Sequence, residues 1–342
     1  MKEKKIVCFG ELMLRLEEEG MPLEKVNLDT AIFVGSEANV AVSLATLGDC
    51  VSVVTRLPDN VVGHTAADKL KAFGVDTSLI KFTGDRIGTY YLKQGQSRQK
   101  SKTIYDRDNT PFSTLKPGDI NWYEILKDAS IFHTSGISIG ISQSAADVTF
   151  EALEVADKLG LTISVDINYR SALWKYGADA RETIIRLMQK ADVMFGDAIE
   201  YEWLTGRQVP LEVTSSDDPV DLAVYEDWYK ELHAICPRCS KMIIGTRNQV
   251  APTHHLLTAF MLSDGNKMLH SVIHDITNVI DPVGVGDAFA AGSIHAALCF
   301  PDDAQKWLDY SLAAATLKNG IRGDFNLAKD EEILRLIEDS KR

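Results

Sequence analysis

The segment Asp281-Pro282-Val283-Gly284-Val285-Gly286-Asp287-Ala288-Phe289-Ala290-Ala291-Gly292 runs a glycine-rich turn into an apolar helical stretch that ends near Cys299. Amide groups at such a turn and at the start of the helix behind it form an anion site, and the helix dipole adds to the attraction. Phosphate is the natural guest. Asp287 falls in the first turn of that helix. A carboxylate there either satisfies free N–H groups and does no chemistry, or accepts the proton of a hydroxyl that attacks a phosphate held by the turn. Both accounts fit the segment taken alone, and the adjoining anion site favours the second. No Gly-x-x-x-x-Gly-Lys-Ser/Thr sequence is present, so the turn at Gly284 has to replace a P-loop.

A second segment, Phe33-Val34-Gly35-Ser36-Glu37-Ala38-Asn39-Val40-Ala41-Val42-Ser43-Leu44-Ala45-Thr46-Leu47-Gly48, joins a small-residue turn to a helix of Ala and Val. On physics alone it is a helix start with a close backbone contact, and a ligand there is the minority outcome.

The elements that must position these segments follow from hydrophobic spacing. Short runs rich in Val, Ile and Phe predict strands at Ile6–Phe9, Val51–Thr55, Ile131–His133, Thr162–Asp166, Val193–Phe195 and Lys241–Gly245. Apolar residues at every third or fourth position predict helices at Asn39–Leu47, Ser142–Leu159, Ala180–Lys190, Ala223–Ile235, Gly286–Cys299, Ala304–Lys318 and Glu331–Glu338. Strands alternating with helices imply βαβ units, an α/β fold with a mostly parallel sheet covered on both faces, and ligands at the carboxyl ends of its strands. Residues 12–34 and 86–107 lack helical periodicity and contain β-prone pieces such as Gly88–Leu92 and Lys102–Tyr105, which predicts a small β lid inserted into one catalytic domain spanning 1–342. The Ser- and Asp-rich stretch 214–219 reads as a surface loop.

The chain has 342 residues, 45% of them hydrophobic, enough for a sizeable core. A net charge of −13 works against general nucleic-acid binding, so an anionic substrate needs local arginines. The apolar run Ile6–Phe9 after the basic start is too short for a signal sequence or membrane span, and no membrane association is expected. Five scattered cysteines predict reduced thiols and a cytoplasmic protein. Only Cys236 and Cys239 have metal or redox spacing; His233, His254 and His255 could complete a zinc site, against the plainer account of two thiols at a loop.

Together, the Phe33–Gly48 and Asp281–Gly292 segments resemble the two signatures of ribokinase-like carbohydrate kinases, the phosphofructokinase B family, in order and separation. Gly10-Glu11 after the first strand matches as well, so the resemblance spans essentially the whole chain. It implies a three-layer ribokinase-like fold with a central sheet between helices, a β-sheet lid, ATP and Mg²⁺ as cofactors, and a homodimer through the lid or a higher homo-oligomer. Finer matches at Gly84–Tyr91, Tyr105-Asp106-Arg107, Asp166–Trp174 and Gly323-Asp324-Phe325-Asn326 look like 2-keto-3-deoxygluconate kinases.

That branch implies a sugar acid as substrate, with Gly35, Asn39, Tyr90, Tyr105, Arg107 and Arg170 lining its site. Arg107 and Arg170 suit a carboxylate through charge-assisted hydrogen bonds; structural or surface ion pairs are the alternative. Asp287 becomes the base for the terminal hydroxyl, with Gly284, Val285 and Gly286 around the transferred phosphoryl. Nucleotide contacts are implied for Asp197, Glu200, Thr246, Arg247, Gly284, Gly286 and Asn319. Asp197 and Glu200 align with an Asn-x-x-Glu element that organises Mg²⁺ through water, although a plain helix-entry pair fits equally. A monovalent cation such as K⁺ is implied near Asp281 and Val283.

Departures bear on activity. Val34 and Ser36 stand where glycines are usual, Val285 replaces a small residue, and Asp197 replaces Asn. A branched residue at positive φ would be strained. Gly245–Val250 departs from the common glycine-containing loop, so an altered ATP-side loop is expected there. Two other functions remain: a fructokinase or other neutral-sugar kinase, and a catalytically impaired sugar-binding or regulatory homologue.

Overall fold

Ile6 and Cys8 pack into one hydrophobic cluster while Val7 and Phe9 pack into another, so the strand Lys5–Phe9 is buried on both faces. The same alternation recurs at Val193 and Met194, and at Ile243 and Ile244. The computed structural model describes residues 4–17, 32–93, 102–208 and 222–340. Helices Ser36–Thr46, Val61–Ala72, Val285–Cys299, Ala304–Lys318 and Asp330–Asp339 cover one face. Trp122–Leu126, Gln143–Leu159, Ala180–Met188 and Leu222–Ile235 cover the other. The result is a helix–sheet–helix sandwich of the kind that near-continuous apolar strands require.

The central sheet has the order Lys267–His270, His254–Ser263, Lys241–Ala251, Val193–Asp197, Thr162–Asp166, Ala129–Ser135, Lys5–Phe9 and Cys50–Val54, with His274–Ile276 also paired to His254–Ser263. From Cys50–Val54 to Lys241–Ala251 every pairing is parallel, and the far edge is antiparallel. Gly245–Val250 is strand and not the expected loop. Those residues continue the strand to Ala251, because a turn at Pro252 and Thr253 folds His254–Ser263 back against them and pairs their amides.

The helix expected from Asn39 starts at Ser36, after Gly35 in extended conformation. The helix Val61–Ala72 was not anticipated; Asn60 starts it by accepting the amides of Val62 and Gly63.

A second sheet has the order Ile32–Val34, Met13–Glu17, Gly88–Lys93 and Lys102–Asp106. Residues 18–31 and 94–101 of the expected lid segments, and the stretch 214–219, lie outside the described residues. Tyr90 pairs in register with Tyr105, and both face a cavity, whereas their neighbours Tyr91 and Ile104 pair on the exposed outer face. Among the described residues no helix is long and apolar enough to cross a membrane.

Candidate active site

Asp287 is fixed by two donors. Ser36 Oγ donates to its Oδ1 at 2.8 Å and Asn39 Nδ2 donates to its Oδ2 at 2.7 Å. Asn39 is itself oriented by the Gly35 amide, which donates to Asn39 Oδ1 at 3.4 Å. Gly35 is needed for close approach: a Cβ there would lie 2.2 Å from the Glu11 carbonyl. Asn168 extends the chain of contacts by donating from Nδ2 to Ser36 Oγ at 2.9 Å. Burial pushes Asp287 up to about 6, with the Asn39 and Ser36 hydrogen bonds pulling the other way. An ionised carboxylate with a raised pKa is suited to accept a proton near neutral pH.

Gly284, at φ 79°, caps the helix Val285–Cys299 without any side-chain hydrogen bond, so the first-turn amides are left for a ligand. Val34, Ser36 and Val285 carry no backbone strain: among the described residues, positive φ outside glycine occurs only at Asn109, Asn168 and Asp264. The branched residues therefore leave the turn's shape to Gly284.

Two cavities meet at Asp287. One, of about 430 Å³, lies over the carboxyl ends of the parallel strands between Asp197, Thr246 and Gly286. The other, of about 580 Å³, lies between the second sheet and the helix Ser36–Thr46. Asn168, Arg170, Arg247, Val283, Gly284 and Asp287 line both. Such an arrangement accommodates two molecules whose reacting ends touch at one carboxylate.

In the second cavity the structure brings together Gly35, Asn39, Tyr90, Tyr105, Arg107 and Arg170. Arg107 is buried and donates from Nε to Glu11 Oε2 at 2.6 Å, while Thr110 Oγ1 donates to Glu11 Oε1 at 2.5 Å. Its Nη1 and Nη2 are buried with no hydrogen-bond partner among the described residues. Orphaned guanidinium donors are costly unless a ligand meets them. Arg170 is exposed at the junction of the cavities. Ser36, Asn168, Glu11, Arg15 and Asp324 join the site beyond the residues expected from sequence. Asp324 lines this cavity, accepts from Tyr90 OH at 3.3 Å and pairs with Arg15. Glu11, Ser36, Asn168 and Asp324 lie in the matched segments, which could have pointed to them, whereas Arg15 lies outside every such segment and acts through partners remote in the chain.

The first cavity collects Asp197, Glu200, Thr246, Arg247, Gly284, Val285 and Gly286. Asp197 and Glu200 form a capping box: Asp197 Oδ1 accepts the Glu200 amide at 2.8 Å and Glu200 Oε2 accepts the Asp197 amide at 3.0 Å. Glu200 Oε1 accepts the Tyr169 amide at 2.6 Å. Burial, then Asp197, pushes Glu200 up to about 7. Burial, then Glu200 and Asp287, raises Asp166 in the same cavity.

These crowded carboxyl groups fit a divalent cation held by phosphate and water. Among the described residues, no group of three His, Cys, Asp or Glu side chains is placed to hold a metal ion by itself. Asn319 is not brought to the cavity. It is fully buried and its Nδ2 donates to the Ala315 carbonyl at 2.9 Å, at the end of the helix Ala304–Lys318. Cys236 and Cys239 are buried free thiols that donate to the carbonyls of Leu232 and Lys241, and His254 pairs with Asp275.

The family model described as pfkB family carbohydrate kinase matches residues 3–318. The chain belongs to the PfkB family of carbohydrate kinases. Its architecture is the ribokinase-like α/β fold. It is similar to the solved structure of 2-dehydro-3-deoxygluconokinase from Thermotoga maritima, with 33% identity, a TM-score of 0.86 and 98% of each chain covered. The 2-dehydro-3-deoxygalactonokinase of Haloferax volcanii is 28% identical over 97% of this chain and 96% of its own. Probable fructokinase-2 of Arabidopsis thaliana is 30% identical over 85% of this chain and 80% of its own.

Proposed function

We propose that the chain transfers the γ-phosphoryl group of ATP to the terminal hydroxyl of a 2-keto-3-deoxy sugar acid, with 2-keto-3-deoxygluconate giving the 6-phosphate. The observation that carries this reading is Arg107, buried in the acceptor cavity with both Nη groups uncommitted, across from the base Asp287. A carboxylate meets the two Nη groups with charge-assisted hydrogen bonds, whereas a neutral sugar offers them only weaker hydroxyl acceptors.

Asp287 takes the hydroxyl proton as the alkoxide oxygen forms its bond to the γ-phosphorus. The bond from that phosphorus to the β–γ bridging oxygen breaks, and ADP leaves with its electron pair. The amides of Val285, Gly286 and Asp287, with Arg247 and Arg170, face the charge on the transferred group. Mg²⁺, held through water near Asp197 and Glu200, would neutralise phosphate charge. The second sheet acts as the lid that excludes water above the sugar. Its exposed Tyr91–Ile104 face supports a homodimer through the lid, which a solution mass measurement checks.

The deciding experiment compares 2-keto-3-deoxygluconate, its galactonate-derived epimer and fructose in an ATP-consumption assay. A preference for fructose would make the chain a neutral-sugar kinase and leave Arg107 as a packing residue. Binding without turnover of any of the three would make it an impaired homologue; the absence of strain at Val34 and Val285 supports turnover instead.

A further inference from the structure

The monovalent cation implied near Asp281 and Val283 does not fit the groups found there. Asp281 is buried, and each of its carboxylate oxygens already accepts a backbone amide: Oδ1 from Val283 at 3.0 Å and Oδ2 from Gly323 at 3.0 Å. Arg15 Nη2 stands 3.7 Å from Oδ2. The backbone carbonyl of Asp281 accepts from Lys318 Nζ at 3.2 Å, and the same Nζ donates to the Ile321 carbonyl at 2.9 Å. The Asn319 carbonyl, which also faces this turn, accepts the amides of Ile280 and Asp281 at 2.8 and 3.2 Å.

We infer that the buried Lys318 ammonium does the work of a monovalent cation at the phosphate turn, so that the kinase needs no K⁺. This rests on the kinase reading above. Two cationic groups already stand among these carboxylates: Arg15 pairs with Asp281 and Asp324, Lys318 donates to the Asp281 carbonyl, and all four side chains are buried. An added cation would have to displace the ammonium from its carbonyls and bring a further positive charge beside Arg15 and Lys318, away from water, where like charges repel strongly. The ammonium is also covalently tethered, so it loses no translational freedom when it holds the carbonyl. Through Asp281 it pins the start of the turn whose end, Gly284 to Asp287, binds phosphate. Asp324 closes the other side, since its carbonyl lies 2.1 Å from where a Gly284 Cβ would sit.

The test compares KCl with choline chloride at constant ionic strength, reading both the initial rate and the thermal midpoint of the whole protein. The wild type is expected to show equal midpoints and rates within about twofold. In Lys318→Met, which keeps the length of the side chain but removes its charge, the rate in choline should fall about tenfold or more, with K⁺ restoring part of it and raising the midpoint. A several-fold K⁺ activation of the wild type, or a wild-type midpoint that rises with K⁺ and not with choline, overturns the inference. So does a Lys318→Met protein that is active and indifferent to K⁺. If that variant fails to fold, the wild-type comparison decides. If no sugar is phosphorylated, the midpoint comparison still reads the cation site, which separates failure of this inference from failure of the proposed activity.

Discussion

Asn39 Nδ2 donates to Asp287 Oδ2 at 2.7 Å across 248 residues of sequence. The contact ties the start of one helix to the start of another and aims the carboxylate at the junction of the two cavities. Asp287→Asn should lower kcat by about 10²- to 10⁴-fold while the sugar dissociation constant, measured calorimetrically, stays within about threefold. Loss of binding in parallel with turnover would mean that the carboxylate is structural.

The same pair sets the pH profile. Burial raises Asp287 to about 6, and the Asn39 bond opposes that rise. Because the ionised form is the base, kcat/KM should fall as pH drops through about 6. Removing the donor in Asn39→Ala moves this acid limb to higher pH. A limb that stays in place shows that another group controls it.

Arg107 distinguishes acid from neutral acceptors. In Arg107→Met, kcat/KM for a 2-keto-3-deoxy sugar acid should drop by about 10- to 100-fold, the range expected for lost charge-assisted hydrogen bonds, with any fructose activity much less affected. Equal losses for both sugars would trace instead to the Glu11 contact at 2.6 Å.

Glu200 carries a stability signature. Its folded pKa of about 7 exceeds the ordinary 4.5, chiefly through burial. Its contribution to stability is therefore complete below 4.5 and is lost as pH rises through 7. Between about pH 5 and about pH 8, Glu200→Gln should show a smaller decline in unfolding free energy than the wild type, read by denaturant titration. An identical decline assigns the titration elsewhere.

The two sides of the phosphate turn should respond differently. Gly284→Ala places a Cβ 2.1 Å from the Asp324 carbonyl at a φ of 79°, so it should lower both the thermal midpoint and kcat, the latter by about 10²-fold. Val285→Ala, in ordinary helical backbone, should keep kcat within about threefold. Comparable losses from both substitutions would mean that the Val285 side chain shapes the site.

Much of this molecule was legible in local pattern. The continuous apolar run from Ile6 to Phe9 and the apolar spacing of Gly286–Cys299 are short-range signals, and so is a glycine-rich turn ahead of a helix. The antiparallel continuation at Gly245–Val250 was not legible, since a strand paired at the end of a sheet needs its partner, His254–Ser263, to be distinguished from a loop. Asn319 shows the converse: motif position suggests a ligand contact, and the folded chain buries the residue with its Nδ2 on the Ala315 carbonyl.

The amino-acid order by itself determined which layers form and where an anion turn lies, because periodicity and backbone freedom act within a few residues. Tertiary structure alone decided that Arg15 reaches Asp324 over 309 positions, that Arg107 keeps two donors uncommitted, and that Lys318 closes on Asp281. Pairing between buried charges depends on distance in space, and a linear pattern of residue types carries no record of that distance.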